Sequence, residues 1–296
     1  MESMYKSCML CERKCRVDRS ITHGYCRMPS DLYISRAALH MWEEPPISGT
    51  RGSGTVFFSG CSLGCVFCQN REISRGISGK RITVDRLVEI MLELEDRGAH
   101  NINLVTPTHY VPSVREALIT AKSRGLTLPI VYNTGSYDTP DALCSLEGLV
   151  DVYLPDLKYF LQKTALAYSS APDYPTVARR AIEEMVRQTG RPTFNKEGIM
   201  TRGTLVRILL LPRHIAEAKL SLKYLYETYG DTVYVSLMNQ YTPTEDLPSP
   251  LNRRTTAEEY DELVAYAQRL GVEKCFIQER GAASESYIPT FDCTGV

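Results

Sequence analysis

The stretch Gly60-Cys61-Ser62-Leu63-Gly64-Cys65-Val66-Phe67-Cys68-Gln69-Asn70 constrains this chain more than any other. Its three thiols fall within eight residues in the spacing C-x3-C-x2-C, with a glycine just before the first and the second. Glycine lets the backbone turn tightly, so one short loop can aim several sulfurs at a common centre. The apolar run Thr55-Val56-Phe57-Phe58-Ser59 ahead of the loop reads as a buried strand. Three thiolates suit three corners of an iron–sulfur cube, and the fourth iron then keeps a position for a ligand that is not protein. A closed zinc site is disfavoured. Structural zinc takes four nitrogen or sulfur ligands, and no cysteine or histidine follows Cys68 before His100.

This spacing at the end of a first barrel strand resembles the radical S-adenosylmethionine (SAM) superfamily. Plant-type ferredoxins use C-x4-C-x2-C and bring a fourth cysteine. The resemblance implies a [4Fe–4S] cluster on Cys61, Cys65 and Cys68, with SAM at the open iron.

The remaining composition narrows the setting. A chain of 296 residues can bury the core of one α/β domain, with or without a small appendage. A formal net charge of −1 gives no electrostatic footprint for nucleic acid. No apolar run approaches the ~20 residues that span a bilayer, and residues 1–15 lack the apolar core of a signal peptide. The expectation is a cytoplasmic protein with no membrane partner, whose ten cysteines are metal ligands or buried thiols before disulfides. A cluster with an open iron is oxygen-sensitive, so an anaerobic setting is expected with it.

Residues 1–30 form a Cys-rich extension carrying Cys8, Cys11, Cys15 and Cys26 in the spacing C-x2-C-x3-C-x10-C. So short a segment builds no core of its own, and a metal staple is the physical remedy. Two readings compete here. A zinc knuckle would use all four thiolates and close the site. An auxiliary iron–sulfur cluster would use three or four, and spacing alone does not separate the metals. Residues 31–54 read as a connector punctuated by Pro45-Pro46, Gly49, Gly52 and Gly54. Within it, residues 34–42 suggest an edge strand or hairpin, and Trp42 reads as packing.

From residue 55 to 296, short apolar strands alternate with helical patterns. Strands are expected near 55–59, 101–105, 128–132, 150–154, 205–211 and 233–238, with a short one at 275–277. Thr83 can cap a helix that keeps Val84, Leu87, Val88, Met91 and Leu94 on one face. Further helices are expected near 111–122, 140–146, 176–188 and 215–229, and Thr256-Ala257-Glu258-Glu259 is a capping box opening the last. This order implies parallel β/α units with right-handed crossovers. Six of them make an α/β fold, a partial (β/α)6 TIM-like barrel with the Cys-rich segment as an N-terminal extension. Such barrels place their chemistry at the C-terminal ends of the strands, where the cysteine loop lies.

The other strand ends are polar. Thr106 and Thr108 follow the second, Asn133 the third, Asp156 and Lys158 the fourth, Arg207 lies in the fifth, and Gln240 follows the sixth. Lys158 and Arg207 suit a SAM carboxylate, Arg with a bidentate grip; Thr106, Thr108, Asn133 and Gln240 suit its ammonium or ribose. The plainer alternatives are a surface lysine at 158 and an Arg207 paired with Asp156 or Asp151. His109 and His214 read as hydrogen-bonded or surface histidines, and Cys144, Cys275 and Cys293 as buried or incidental thiols.

The arrangement resembles the activating enzymes of glycyl-radical enzymes, typified by the pyruvate formate-lyase activating enzyme. Asp156-Leu157-Lys158 is like their Asp-x-Lys motif on the SAM side of the barrel. It is closer still to an uncharacterised branch of that group. The branch features here are the N-terminal cysteines, Asn103-Leu104-Val105-Thr106-Pro107-Thr108-His109, Tyr153-Leu154-Pro155-Asp156-Leu157-Lys158 and Ser236-Leu237-Met238-Asn239-Gln240-Tyr241. One departure stands out. Activating enzymes carry Gly-Gly-Glu after the second strand to hold the SAM ammonium, whereas Thr106-Pro107-Thr108 has no carboxylate. Carbonyl and hydroxyl oxygens must then serve instead. The resemblance implies an enzyme that takes an electron from a donor such as flavodoxin or ferredoxin, cleaves SAM, and abstracts hydrogen from a protein, peptide or small-molecule substrate. A non-catalytic iron–sulfur electron carrier or zinc-stabilised binding module is the reading from another class.

Overall fold

The described residues of the structure, a computed structural model, are 3–76, 78–244, 247–278 and 289–296. In chain order the strands are β1 (Leu32–His40), β2 (Ser53–Phe58), β3 (Lys80–Ile82), β4 (Ile102–Val105), β5 (Ile130–Thr134), β6 (Val152–Pro155), β7 (Thr193–Phe194), β8 (Met200–Leu209), β9 (Tyr234–Met238) and β10 (Cys275–Ile277). They lie side by side as β10-β9-β8-β6-β5-β4-β2-β1-β3, with β7 paired antiparallel to β8. Every pairing from β2 through β10 along that order is parallel. Helices Val84–Asp96, Val111–Ser123, Tyr174–Thr189, Ile215–Tyr229 and Ala257–Leu270 fill the crossovers. The result is a mixed α/β fold, a partial TIM-like barrel of six parallel strands that the short β10 extends.

The caps are those the sequence announces. Thr83 Oγ1 accepts from Arg86 N–H, and Thr256 and Glu259 form a reciprocal capping box. β5 starts two residues later than periodicity suggests. Pro129 has no N–H to give a ladder, so the strand runs on to include Asn133 and Thr134.

Alternation along the strands sorts two environments. Ile102 and Leu104 of β4, with Ile130 and Tyr132 of β5, face the helices Val84–Asp96 and Val111–Ser123 in one core. Val206 and Ile208 of β8 and Val235 and Leu237 of β9 belong to a second. The intervening residues turn into the lumen: Asn103, Asn133, Arg207 and Ser236 all reach one pair of glutamates there.

Those glutamates come from residues 31–54, and here the structure corrects the expectation of a connector. β1 is a nine-residue strand held between β2 and β3, so it is not an edge. After it the chain turns into the barrel. The short helix Pro45–Ser48 buries Pro46, Ile47 and Ser48, and Ile47 packs with Val131, Val152, Leu154, Met200 and Leu205. Asn101 Nδ2 donates to Ile47 O at 2.7 Å. Residues 43–48 thus plug the base of the lumen. The N-terminal segment is likewise no separate body, since Tyr5, Cys8, Leu10, Cys26 and Met28 join the same core as Val56 and Phe58 of β2.

Candidate functional site

The cysteine loop leaves β2 at Gly60, whose φ of +85° and crowding by Met28 and the Cys26 carbonyl leave no room for a side chain. The loop is held from outside itself. Arg13 Nε donates to Ser62 O at 2.8 Å, Arg75 to Gly64 O at 2.9 Å, and Gln69 Nε2 to Gln240 O at 2.8 Å. Cys61 Sγ accepts from Leu63 N–H at 3.4 Å, and Cys65 Sγ from Ser169 Oγ at 3.0 Å. Cys61, Cys65 and Cys68 border one cavity of about 240 Å³ at the mouth of the barrel.

Burial pushes the Cys61 thiol up and the Cys68 thiol up to about 12. Such thiols keep their protons at neutral pH until a metal displaces them. Among the described residues no three His, Cys, Asp or Glu side chains converge on a point where a single ion would sit. Three thiols sharing one cavity wall suit three corners of an iron–sulfur cluster, and the cavity offers the space for an outside ligand.

Across the cavity stands an ion network that the sequence only half revealed. Arg207 sends Nε to Asp156 at 2.8 Å, one terminal nitrogen to Glu43 at 2.7 Å and the other to Asn133 Oδ1 at 2.7 Å. The second Glu43 oxygen accepts from Asn103 at 3.0 Å and Asn133 at 3.1 Å. Lys158 Nζ reaches Asp156 at 2.6 Å. Burial works against each of these charges. At Asp156, Arg207 and Lys158 more than offset it and hold the carboxyl below its usual range. At Lys158, the Asp156 carboxylate outweighs burial and keeps the ammonium charged. Arg207 is therefore the partner of Asp156, with all three nitrogens engaged inside the protein.

Glu44, the next residue, is nearly all buried and accepts from Ser236 Oγ at 2.8 Å. Burial, only partly answered by Arg207, pushes its carboxyl up to about 7.

Of the residues the sequence singled out, Thr106, Asn133, Asp156, Lys158, Arg207 and Gln240 all border the cavity. Thr106 has φ +59°, a left-handed conformation that a β-branched residue adopts under strain. Thr108 lies buried behind the wall, 3.3 Å from Thr134 Oγ1. His109 is a structural histidine: its Nε2 lies 2.7 Å from Ser59 O, and burial drops its pKa to about 3. His214 pairs with the Tyr168 hydroxyl at 2.9 Å, away from the cavity. Cys8, Cys11, Cys15 and Cys26 are free thiols that do not line the cavity. Sequence reasoning missed His40, Trp42 and Glu43, which line the cavity from the supposed connector. The available signal was two adjacent acids beside Pro45-Pro46 in an otherwise apolar stretch.

Comparison with known proteins adds a family likeness. A family model for the radical SAM superfamily matches residues 55–195. An uncharacterized protein of Methanocaldococcus jannaschii, MJ0674, is 28% identical over 284 residues, covering 92% of this chain and 77% of that protein. Solved structures share the fold at low identity. A radical SAM methyltransferase from Sphaerobacter thermophilus aligns at 15% identity and TM-score 0.52, over 78% of this chain and 67% of the other. The FeFe-hydrogenase maturase HydG from Carboxydothermus hydrogenoformans aligns at 14% and 0.54, over 79% and 56%. SuiB from Streptococcus suis, solved with S-adenosylmethionine, aligns at 13% and 0.50, over 75% and 48%. The chain therefore spans about half the length of the last two. The family-model match supports the radical SAM superfamily for residues 55–195, and the solved structures show a shared fold.

Proposed function

We propose that this protein is a radical SAM enzyme that abstracts hydrogen from its substrate. The observation that carries the reading is the placement of Cys61, Cys65 and Cys68 on the same cavity as Asp156, Lys158 and Arg207. When bound at those three thiolates, a [4Fe–4S] cluster with SAM on its open iron supplies one-electron cleavage of the sulfonium to methionine and a 5′-deoxyadenosyl radical. The electron comes from a reduced donor of the flavodoxin or ferredoxin kind.

The chain's own groups bind, orient and exclude water. Lys158 gives one N–H to Asp156 and keeps two for a ligand carboxylate. Asn133 is fixed by Arg207 and Glu43, so what it presents to the cavity does not swing. Thr106 and Gln240 offer hydroxyl, amide and carbonyl groups at the rim. Phe57, Val105, Met238 and Tyr241 supply an apolar wall for an adenine ring. Because residues 43–48 fill the base, substrate reaches the site from the mouth.

The finer reading is a protein or peptide substrate, with activation of a glycyl-radical enzyme as its sharpest form. Its support is the Asp156-Leu157-Lys158 resemblance together with a cavity that lies at the mouth of the barrel. The test is 5′-deoxyadenosine release after anaerobic reconstitution, with SAM and dithionite present. Release should vanish in Cys61→Ala, Cys65→Ala and Cys68→Ala. Release that survives Cys68→Ala, or no SAM binding by protein with an intact cluster, would sink the reading.

A further inference from the structure

Among the described residues, Arg19 is a buried cation with no carboxylate partner. Its side chain is fully buried. Nε donates to Met28 O at 3.1 Å, and its terminal nitrogens donate to the carbonyls of His109 and Pro29. One of them lies 4.0 Å from Cys8 Sγ. The rings of Tyr5 and Tyr110 flank it at 5.1 and 5.5 Å. Among the described residues its polar partners are thus three carbonyls and a sulfur. A guanidinium stays protonated in proteins, and a buried charge needs a counter-charge. The groups around it that can carry negative charge are the Cys26 and Cys8 thiols and the Tyr5 and Tyr110 hydroxyls, and burial pushes both tyrosines up and keeps them neutral. Cys8 and Cys26 are its nearest electrostatic neighbours, and Cys11 lies within electrostatic reach of Cys8, Cys15 and Cys26.

The sulfurs also receive donors from the backbone. Tyr25 N–H points at Cys15 Sγ at 3.3 Å, and Arg13 N–H at the Cys11 sulfur. Gly24 keeps this approach open, since a Cβ there would stand 3.1 Å from Cys15 Sγ. A single zinc ion would draw all four sulfurs to about 2.3 Å from one point. What favours a redox cluster over that closure is the contact this segment makes with the Cys61 loop.

We propose that Cys8, Cys11, Cys15 and Cys26 hold a second iron–sulfur cluster, closed on all four corners, with Arg19 as its buried counter-ion. The site adjoins the first. Arg13, between Cys11 and Cys15, donates to the carbonyls of Ser62 and Leu63, and the Tyr25 hydroxyl donates to Leu63 O at 3.3 Å. A closed cluster so placed takes one electron from an external one-electron donor and is reoxidised in passing it to the cluster at the Cys61 loop. That relay rests on the proposed radical SAM reading; the site itself rests on Arg19 and the four thiols.

The test uses the full chain with Cys61→Ala, Cys65→Ala and Cys68→Ala combined, reconstituted anaerobically. Metal analysis should find about four irons and four sulfides per chain, with an EPR signal on reduction that SAM leaves unchanged. An iron-free product, or one zinc per chain, would overturn the proposal. If the triple variant does not fold, the otherwise unaltered protein should hold about eight irons, falling to about four in Cys8→Ser/Cys11→Ser; equal iron in the two would refute it. In the triple-variant background, Arg19→Gln should shift the cluster potential downward, since a nearby positive charge favours the added electron, and Arg19→Lys should restore it. An unmoved potential removes Arg19 from the role. Dithionite can reduce the first site directly, so SAM cleavage that persists in Cys8→Ser/Cys11→Ser separates failure of this proposal from failure of the radical SAM reading.

Discussion

At the mouth of the barrel, Cys61, Cys65 and Cys68 hang from a loop braced by Arg13, Arg75 and Gln69. At the floor, Glu43 and Glu44 arrive on a two-proline turn and are tied to Asn103, Asn133, Arg207 and Ser236 on four different strands. The mouth groups share a wall and leave the cavity to something not made of protein. The floor groups largely satisfy one another; Asn103 Oδ1 is the exception among them, buried without a hydrogen-bond partner. A reactive end needs donors kept unspent, while a positioning end needs most donors and acceptors engaged, because an unpaired buried polar group is costly. Asp156 joins the two ends, bonded to Arg207 on one oxygen and Lys158 on the other.

The largest break in this comparison is expected at the mouth. Cys68→Ala should reduce SAM-dependent 5′-deoxyadenosine formation to background while leaving the folded helix and strand content, read by circular dichroism, unchanged. At the floor the order reverses. Arg207→Met strands the Glu43 and Asp156 carboxylates without their guanidinium, and removing one member of a buried pair costs about 3–5 kcal/mol. Urea denaturation checks this, and a loss near zero would mean that the network is not what holds the lumen together.

A third expectation is a pH signature at Glu44. Its carboxyl sits at about 7 in the folded chain against an ordinary 4.5, with Arg207, Glu43 and Asp156 facing it. The folded state then holds a proton that the unfolded state has released, so stability falls as pH rises from about 4.5 to about 7. The fall is on the order of 3 kcal/mol for this one group. Glu44→Gln should flatten that part of the stability profile, and parallel profiles would refute the assignment. The smallest effect is at Thr106. Thr106→Gly relieves a left-handed β-branched residue, partly offset by glycine's extra freedom when unfolded, for a net gain of about 1 kcal/mol. SAM affinity, followed by calorimetry, should drop in the same variant.

The mouth was legible in the sequence because its chemistry is local. Three cysteines at fixed spacing after an apolar strand need no knowledge of the rest of the chain. The barrel was legible for a related reason: helices such as Ile215–Tyr229 carry their own periodicity, and the caps at Thr83 and Thr256 their own signal. The floor was not. Glu43 and Glu44 acquire meaning only when Arg207 and Ser236, more than 160 positions away, close around them. Pro45-Pro46 marks a turn in any chain, and nothing in the local pattern says that the turn points into a lumen. The N-terminal cysteines fall between. Their number raises the expectation of a metal site, and the charge on which the proposed anionic cluster rests is Arg19, whose burial only the fold reveals.

The central claim is that the Cys61 loop holds a cluster with one iron open to SAM. The most direct measurement is the EPR spectrum of the anaerobically reconstituted, dithionite-reduced protein, recorded with and without SAM. The account predicts that SAM alters part of the spectrum and that the alteration disappears in Cys68→Ala. An iron-loaded protein whose spectrum stays unchanged at saturating SAM would contradict it.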